Sequence, residues 1–568
     1  MQREPEGSSF GTVELRFPDR VNWTLSRVLA ARAAESGDRV FIREMPSRTL
    51  TFAEADDLAR RAAGGLTQAG LAPGDRVVIM SENSIEFIVG WFATACAGLV
   101  EVPVSPYYRG VGLERLIAQV QPAAALCTPD LVPELVESGA IAHVARVYLL
   151  PGGDPATARA ILAGVSGVVV ENFHDLYDHP RIEGHVRAPH ELASVLFTSG
   201  TTGLPKGVAM PEAQLYFYSE QFRNYERLDS QDVWLHDKPM YTGLSHFHVV
   251  YASLIAGCQV ALYERFSARL WAQRVSNSGA TIVLLLGEMM DFAMKQPASD
   301  VDHANRLRCI SCGPTSWAIA DSFLARFGGE TLAEAYGQTE ICLPVMTPYG
   351  ARRPVGACGL IVDDWFDVRL ADPVTDVEVA PGELGEMQVR HREPWTLCDG
   401  YYLDAEATAA ATRNLWFHTG DIFRRDGDGW FHFIDRARDV IRRRGHNISS
   451  KEIEDAFLAR DDVLGCAAVS IAPSASDEST EVLAVIVVSD GAAANEDLVR
   501  FVEQRLPYYA VPRYIRRVDG LPLTPSGKIR KAALRDEAVT ADTWDRQRVG
   551  LLLEHELAVN KHRRARQI

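Results

Sequence analysis

Thr198, Ser199, Thr201 and Thr202 stand within one short stretch with Gly200, Gly203 and Gly207, and Lys206 lies near its end. Small hydroxyl residues and glycines at this density offer backbone N–H groups and hydroxyls to a polyphosphate without bulky side chains in the way, and the lysine adds countercharge. The stretch is not a Walker A loop, which needs glycine before its lysine and serine or threonine after it; here Pro205 and Gly207 hold those places. Alone, such a stretch is as often a flexible turn. Its weight comes from the company it keeps along the chain.

Downstream come Tyr336-Gly337-Gln338-Thr339-Glu340, then Trp416-Phe417-His418-Thr419-Gly420-Asp421. After these come Asp435-Arg436-Ala437-Arg438-Asp439-Val440-Ile441 with Gly445-His446-Asn447, and last Leu521-Pro522-Leu523-Thr524-Pro525-Ser526-Gly527-Lys528. In this order the motifs resemble those of the adenylate-forming superfamily of acyl-CoA synthetases, carrier-protein adenylation domains and luciferases, most nearly a stand-alone acid–CoA ligase. The resemblance runs through nearly the whole chain.

The resemblance implies roles residue by residue. Thr198, Ser199, Gly200, Thr201, Thr202, Gly203 and Lys206 would hold the phosphates of ATP. Tyr336 would stack on adenine beside Gly337, with Ser311 and Gly313 on the neighbouring strand end. Thr339 would bond the α-phosphate and Glu340 would hold Mg²⁺. Each task suits its side chain: a ring has a π face, a hydroxyl donates, and a carboxylate is a hard ligand for magnesium. Asp421 would accept from the ribose hydroxyls, with Arg436 as a second contact. Lys528 would act as the catalytic lysine, placing positive charge where negative charge develops as pyrophosphate leaves.

Arg438 falls at the family's hinge, where aspartate or lysine is more usual. Arg442, Arg443 and Arg444 would either meet the phosphates of CoA or form a solvated basic turn. The chain departs from the family at Thr242, which stands where a histidine is usual at the mouth of the acceptor tunnel. His246 and His248 come soon after, as substitutes or as core residues. Trp234, Met240, Tyr241, Gly287, Met289 and Met290 are expected to line the acid pocket, and a small or aromatic acid fits them better than a long fatty chain.

These motifs need elements to position them. Between about residues 50 and 330, short apolar runs such as Arg76–Met80, Ala123–Cys127 and Thr281–Leu286 alternate with amphipathic stretches, the pattern of buried parallel strands in an α/β domain. After about residue 365 shorter strands separated by Gly and Asp turns predict an antiparallel, barrel-like subdomain. A charged stretch at 435–439 then marks the start of a small α+β unit, with strands near 467–471 and 482–488 and a helix near 496–506. Ser449 and Glu452 have capping-box spacing, and Ile453, Phe457 and Leu458 are expected to share the buried face behind them. The predicted domains are 1–436, binding ATP and acid, and 437–568, a mobile lobe carrying Lys528.

A chain of 568 residues with 47% hydrophobic and 23% charged residues reads as a multidomain globular protein. The net charge of −17 opposes general affinity for nucleic acid or an anionic membrane. The acidic start lacks a secretory pattern, which predicts a cytoplasmic enzyme, monomeric or homodimeric, and the scattered cysteines read as reduced core thiols. The expected activity is an ATP- and Mg²⁺-dependent ligase passing an acyl group to CoA or another thiol. Two alternatives stay open: an amine acceptor or a small acid such as nitrite, and a nucleotide-binding regulator without catalysis.

Overall fold

The computed structural model describes residues 9–198, 205–317, 319–443, 446–471, 480–523 and 529–554. Leu192–Thr198 (β1) and Lys206–Pro211 (β2) form an antiparallel hairpin whose register sets Thr198 opposite Lys206. Pairing up to that last position ties together the two ends of the phosphate stretch. The hairpin closes one edge of a seven-stranded sheet. Its other strands, Arg76–Met80, Val100–Pro103, Ala124–Cys127, Arg146–Leu149 and Val169–Asn172, run parallel and are the apolar runs expected there.

A second sheet has 13 strands. Its parallel heart contains Val233–His236 (β3), Ile282–Leu285 (β4), Cys309–Cys312 (β5) and Thr331–Gln338 (β6). From β6 the chain turns back into Cys342–Met346 (β7). Leu384–His391 (β8), Phe417–Arg425 (β9) and Phe431–Arg436 (β10) are the antiparallel strands predicted after residue 365, and β10 joins them to the large sheet by pairing with Ala357–Ile361.

Between the sheets runs Glu212–Tyr225 (α1), nearly every residue of which is buried, its polar members included. Buried amides need partners. Gln214 Nε2 donates to the Thr339 carbonyl at 2.8 Å, and Gln221 bonds both the N–H and the carbonyl of Leu343 at 3.0 and 2.6 Å. The helix thereby grips the turn between β6 and β7. A π-helical segment, Leu244–Tyr251, packs beside it.

The last unit has its own four-stranded sheet and apolar clusters drawn only from residues beyond 440. Ser449 caps Ser450–Leu458 (α2), accepting from the Glu452 N–H at 3.3 Å. Ile453 and Phe457 are buried as expected, whereas Leu458 is exposed because it turns past the packed face. The seam to β10 is polar. Asp435 Oδ2 accepts from the N–H and hydroxyl of Ser450, both at 2.6 Å, and Arg535 on Lys531–Glu537 (α3) donates to Asp439 at 2.7 Å. All cysteines are free thiols, Cys398 half-buried and the rest buried. Among the described residues no helix is long and apolar enough to cross a membrane.

Candidate functional site

The turn after β6 brings the candidate residues together. Gly337 permits it: a Cβ there would lie 2.0 Å from the carbonyl oxygen of Cys342 on the returning strand, which no other residue type tolerates. Beyond it Glu340 is buried, and its Oε1 accepts from the Tyr401 hydroxyl at 3.0 Å. Lys206 Nζ sits over the Tyr401 ring, 4.8 Å from its centroid. Lys206 and Glu340 are thus joined through one tyrosine. Tyr401 is held in turn because the segment 399–402 pairs with β2. Burial pushes the Glu340 carboxyl above its ordinary range, with Asp421 adding to the rise and Lys206 opposing it.

Asp421 lies on β9 next to this turn. Its Oδ2 accepts from the Tyr336 hydroxyl at 2.8 Å and from Gln338 Nε2 at 2.9 Å, and Oδ1 faces Arg436 Nε at 3.7 Å across the β9–β10 ladder. Burial raises its carboxyl too, and Arg436 is the main opposing influence. Tyr336, half-buried, also packs edge-on against Phe423. Gly313 faces open space, since a Cβ there would meet nothing within 4 Å. A polyanion with a sugar fits this donor set: a lysine, an aspartate that accepts from hydroxyls, and a carboxylate suited to a divalent cation.

The structure therefore gathers Thr198, Lys206, Tyr336, Gly337, Thr339, Glu340, Asp421 and Arg436 at one edge of the large domain. Ser311 is different. Alternation along β5 turns it into the interior, where its hydroxyl bonds that of Tyr225. Ser199, Gly200, Thr201, Thr202, Gly203, Arg444, Gly445 and Lys528 lie outside the described residues.

Other expectations need correction. Arg443 is buried and donates to the Tyr509 carbonyl at 2.7 Å, so it does not face an incoming phosphate. Met290 packs on the opposite side of the sheet from Trp234 and Met240, beside Cys312, and therefore cannot share a pocket wall with them. Met289 belongs with Met290, and Gly287 begins the same helix. His246 is sealed in the core, donating to Glu101 at 2.7 Å with Trp91 packed edge-on. Thr242 spends its hydroxyl on the Pro239 carbonyl at 2.9 Å.

Sequence reasoning missed Tyr401, Gln338 and Glu386. Glu386 Oε1 accepts from the N–H of Gly420 at 2.9 Å, and Oε2 lies 2.9 Å from His418 Nδ1. Gly420 is in the left-handed region at φ +69°, immediately before Asp421, so this buried carboxylate fixes the aspartate's approach. Replacing Glu386 with glutamine is expected to weaken binding of a nucleoside phosphate, read by calorimetry, about tenfold, the worth of one charge-assisted bond. Unchanged affinity counts against it.

The profile of the AMP-binding enzyme family matches residues 29–402, and that of the AMP-binding enzyme C-terminal domain matches residues 452–528. The medium/long-chain-fatty-acid–CoA ligase FadD6 of Mycobacterium tuberculosis is 28% identical over 92% of this chain and 87% of its own length. A feruloyl-CoA synthase of Amycolatopsis is 30% identical over 86% of this chain and 93% of its own. ATP-bound MatB from Rhodopseudomonas palustris superposes with a TM-score of 0.77 at 25% identity, covering 90% of this chain and 98% of that structure.

Proposed function

The chain belongs to the AMP-binding enzyme family, and from that premise we propose that it is an acid–CoA ligase for small or aromatic carboxylic acids. A carboxylate oxygen attacks the α-phosphorus of ATP, the new O–P bond forms, and pyrophosphate leaves. The thiol sulfur of CoA then attacks the acyl carbon and AMP departs. A loose transition state at phosphorus asks mainly for positioning and countercharge.

The observation that supports this reading is the link Lys206–Tyr401–Glu340 lying next to Asp421, a cation and two carboxylates side by side, as a phosphate contact, a metal ligand and a sugar acceptor would require. Lys206, with Thr198, Ser199, Gly200, Thr201, Thr202 and Gly203, would take the outer phosphates. Asp421 and Arg436 would take the ribose, and Tyr336, Gly337 and Gly313 the base. Thr339 would bond the α-phosphate. Glu340 would hold Mg²⁺; among the described residues no cluster of three or more His, Cys, Asp or Glu could hold a metal, so phosphate oxygens and water would complete its shell. When bound, the ion would offset charge on the phosphates.

Residues 437–568 would move as a lobe about Arg438, bringing Lys528 over the carboxylate for the first step. The enzyme would work in the cytoplasm on small-molecule partners. A pyrophosphate-release screen of acids with ATP and Mg²⁺, followed by acyl-CoA detection, tests the proposal. Release that depends on acid, and thioester formed on adding CoA, is the expected result. Release without thioester, but with product on adding an amine, replaces CoA by an amine acceptor. No release with any acid leaves a nucleotide-binding regulator.

A further inference from the structure

One face of the large sheet, covered by the π-helical segment and α1, carries polar groups that the reaction centre does not use. Register aligns Trp234, Ile282, Cys309 and Thr331 in one row across β3–β6. The row one pleat further toward the strand ends holds His236, Leu284, Ser311 and Ala333, on the same face because side chains alternate.

A closed core would be apolar here. Instead, both ring nitrogens of His236, Nδ1 of His248, the indole N–H of Trp234 and Oε2 of Glu226 have no hydrogen-bond partner among the described residues. None of these residues is more than 1% exposed. A buried polar atom without a partner carries its full desolvation penalty, so a group of them together calls for a polar occupant.

The chemistry is defined. His248 Nε2 bonds Glu226, and in the neutral ring with its proton on Nε2 the free Nδ1 is an acceptor. Burial pushes His236 down to about 3, so it stays neutral and offers one donor and one acceptor. Flat rings surround these groups: Phe222 stacks on His248 at 3.8 Å between centroids, and Trp234 meets the same imidazole edge-on at 5.1 Å. Depth is set by α1. Tyr218 lies close enough to Glu340 to feel its charge, while Phe222 and Tyr225 come four and seven residues later, roughly 6 and 10 Å along the axis. That is the reach of a benzoic or phenylpropenoic acid whose carboxylate lies at the adenylate turn.

We propose that these residues form the distal end of the acid chamber and select a planar acid bearing a hydrogen-bond-donating substituent, hydroxyl or amino, at its far end, with His236 and His248 as specificity-determining residues. This rests on the acid–CoA ligase reading.

The test uses the full chain and matched acids: 4-hydroxycinnamic against cinnamic, and 4-aminobenzoic against benzoic. Pyrophosphate release is measured with ATP and Mg²⁺. The acid with the donor is expected to have at least a tenfold higher kcat/KM in one or both pairs, since a site built around a hydroxyl or amine rejects the analogue lacking it. The pair that discriminates tells hydroxyl from amine. His248→Phe and His236→Leu are expected to erase the preference, His248→Gln to keep most of it, with KM for ATP as the control at the other end of the site. Pyrophosphate release with no preference in either pair overturns this proposal and leaves the ligase reading standing. So does a preference that survives both apolar variants. No release with any acid overturns both. Should the apolar variants fail to fold, the wild-type pairs decide.

Discussion

Lys528→Ala is expected to lower acyl-adenylate formation roughly 10²- to 10³-fold, the range found when one preorganised charge or donor is removed from a transition state. ATP binding should stay nearly unchanged. The reason is that the lysine, by its place in the motif order, would contribute only when negative charge passes from the α-phosphate to leaving pyrophosphate, and contacts made only then lower kcat rather than raise KM. The second half-reaction supplies an internal control. Chemically prepared acyl-AMP offered with CoA should still give thioester at close to the wild-type rate. Equal losses in ATP affinity and in rate would mean that Lys528 holds ground-state nucleotide and is not the group that completes the centre.

Arg443→Ala should instead act on the fold. Arg443 shares the inward face of its short strand with Ile441, and its Nη2 lies 2.7 Å from Glu481 Oε2 while Nη1 donates to Tyr509. Both partners of this ion pair are almost wholly buried. Deleting the guanidinium breaks this buried ion pair and the bond to Tyr509 together, a change that costs about 3–5 kcal/mol. Thermal unfolding should show the loss, and the double variant Arg443→Met with Glu481→Leu should recover most of it. Were Arg443 a CoA contact, the alanine variant would melt normally and show only a raised KM for CoA.

The contrast between these two residues shows what can be read from the chain. Motifs contiguous in sequence, such as Tyr336–Glu340 and Trp416–Asp421, carry their chemistry in order and spacing, and the turn and strand on which they sit bring Glu340 and Asp421 together. The parallel strands are legible because each is a short apolar run. What is not legible depends on register. Tyr401 reaches Glu340 because residues 399–402 pair with β2, and Glu386 reaches Gly420 across the β8–β9 ladder. No local pattern encodes those meetings. Nor can the side taken by Ser311 be read, since a strand buried on both faces shows no alternation of polarity. Three successive arginines look solvated in sequence, whereas the pleat of its short strand sends Arg443 inward.

The helix α1 touches both ends of the centre: Gln214 holds the backbone at Thr339, and Phe222 and Tyr225 reach His248 and Ser311. A rigid rod shared in this way transmits displacement. Any mutation that reshapes the chamber to admit a bulkier guest will nudge the rod along its length and disturb the grip on the adenylate turn. Retargeting the enzyme to new acids therefore carries a built-in penalty in nucleotide handling, and variants that escape it should gather on the wall that α1 does not touch.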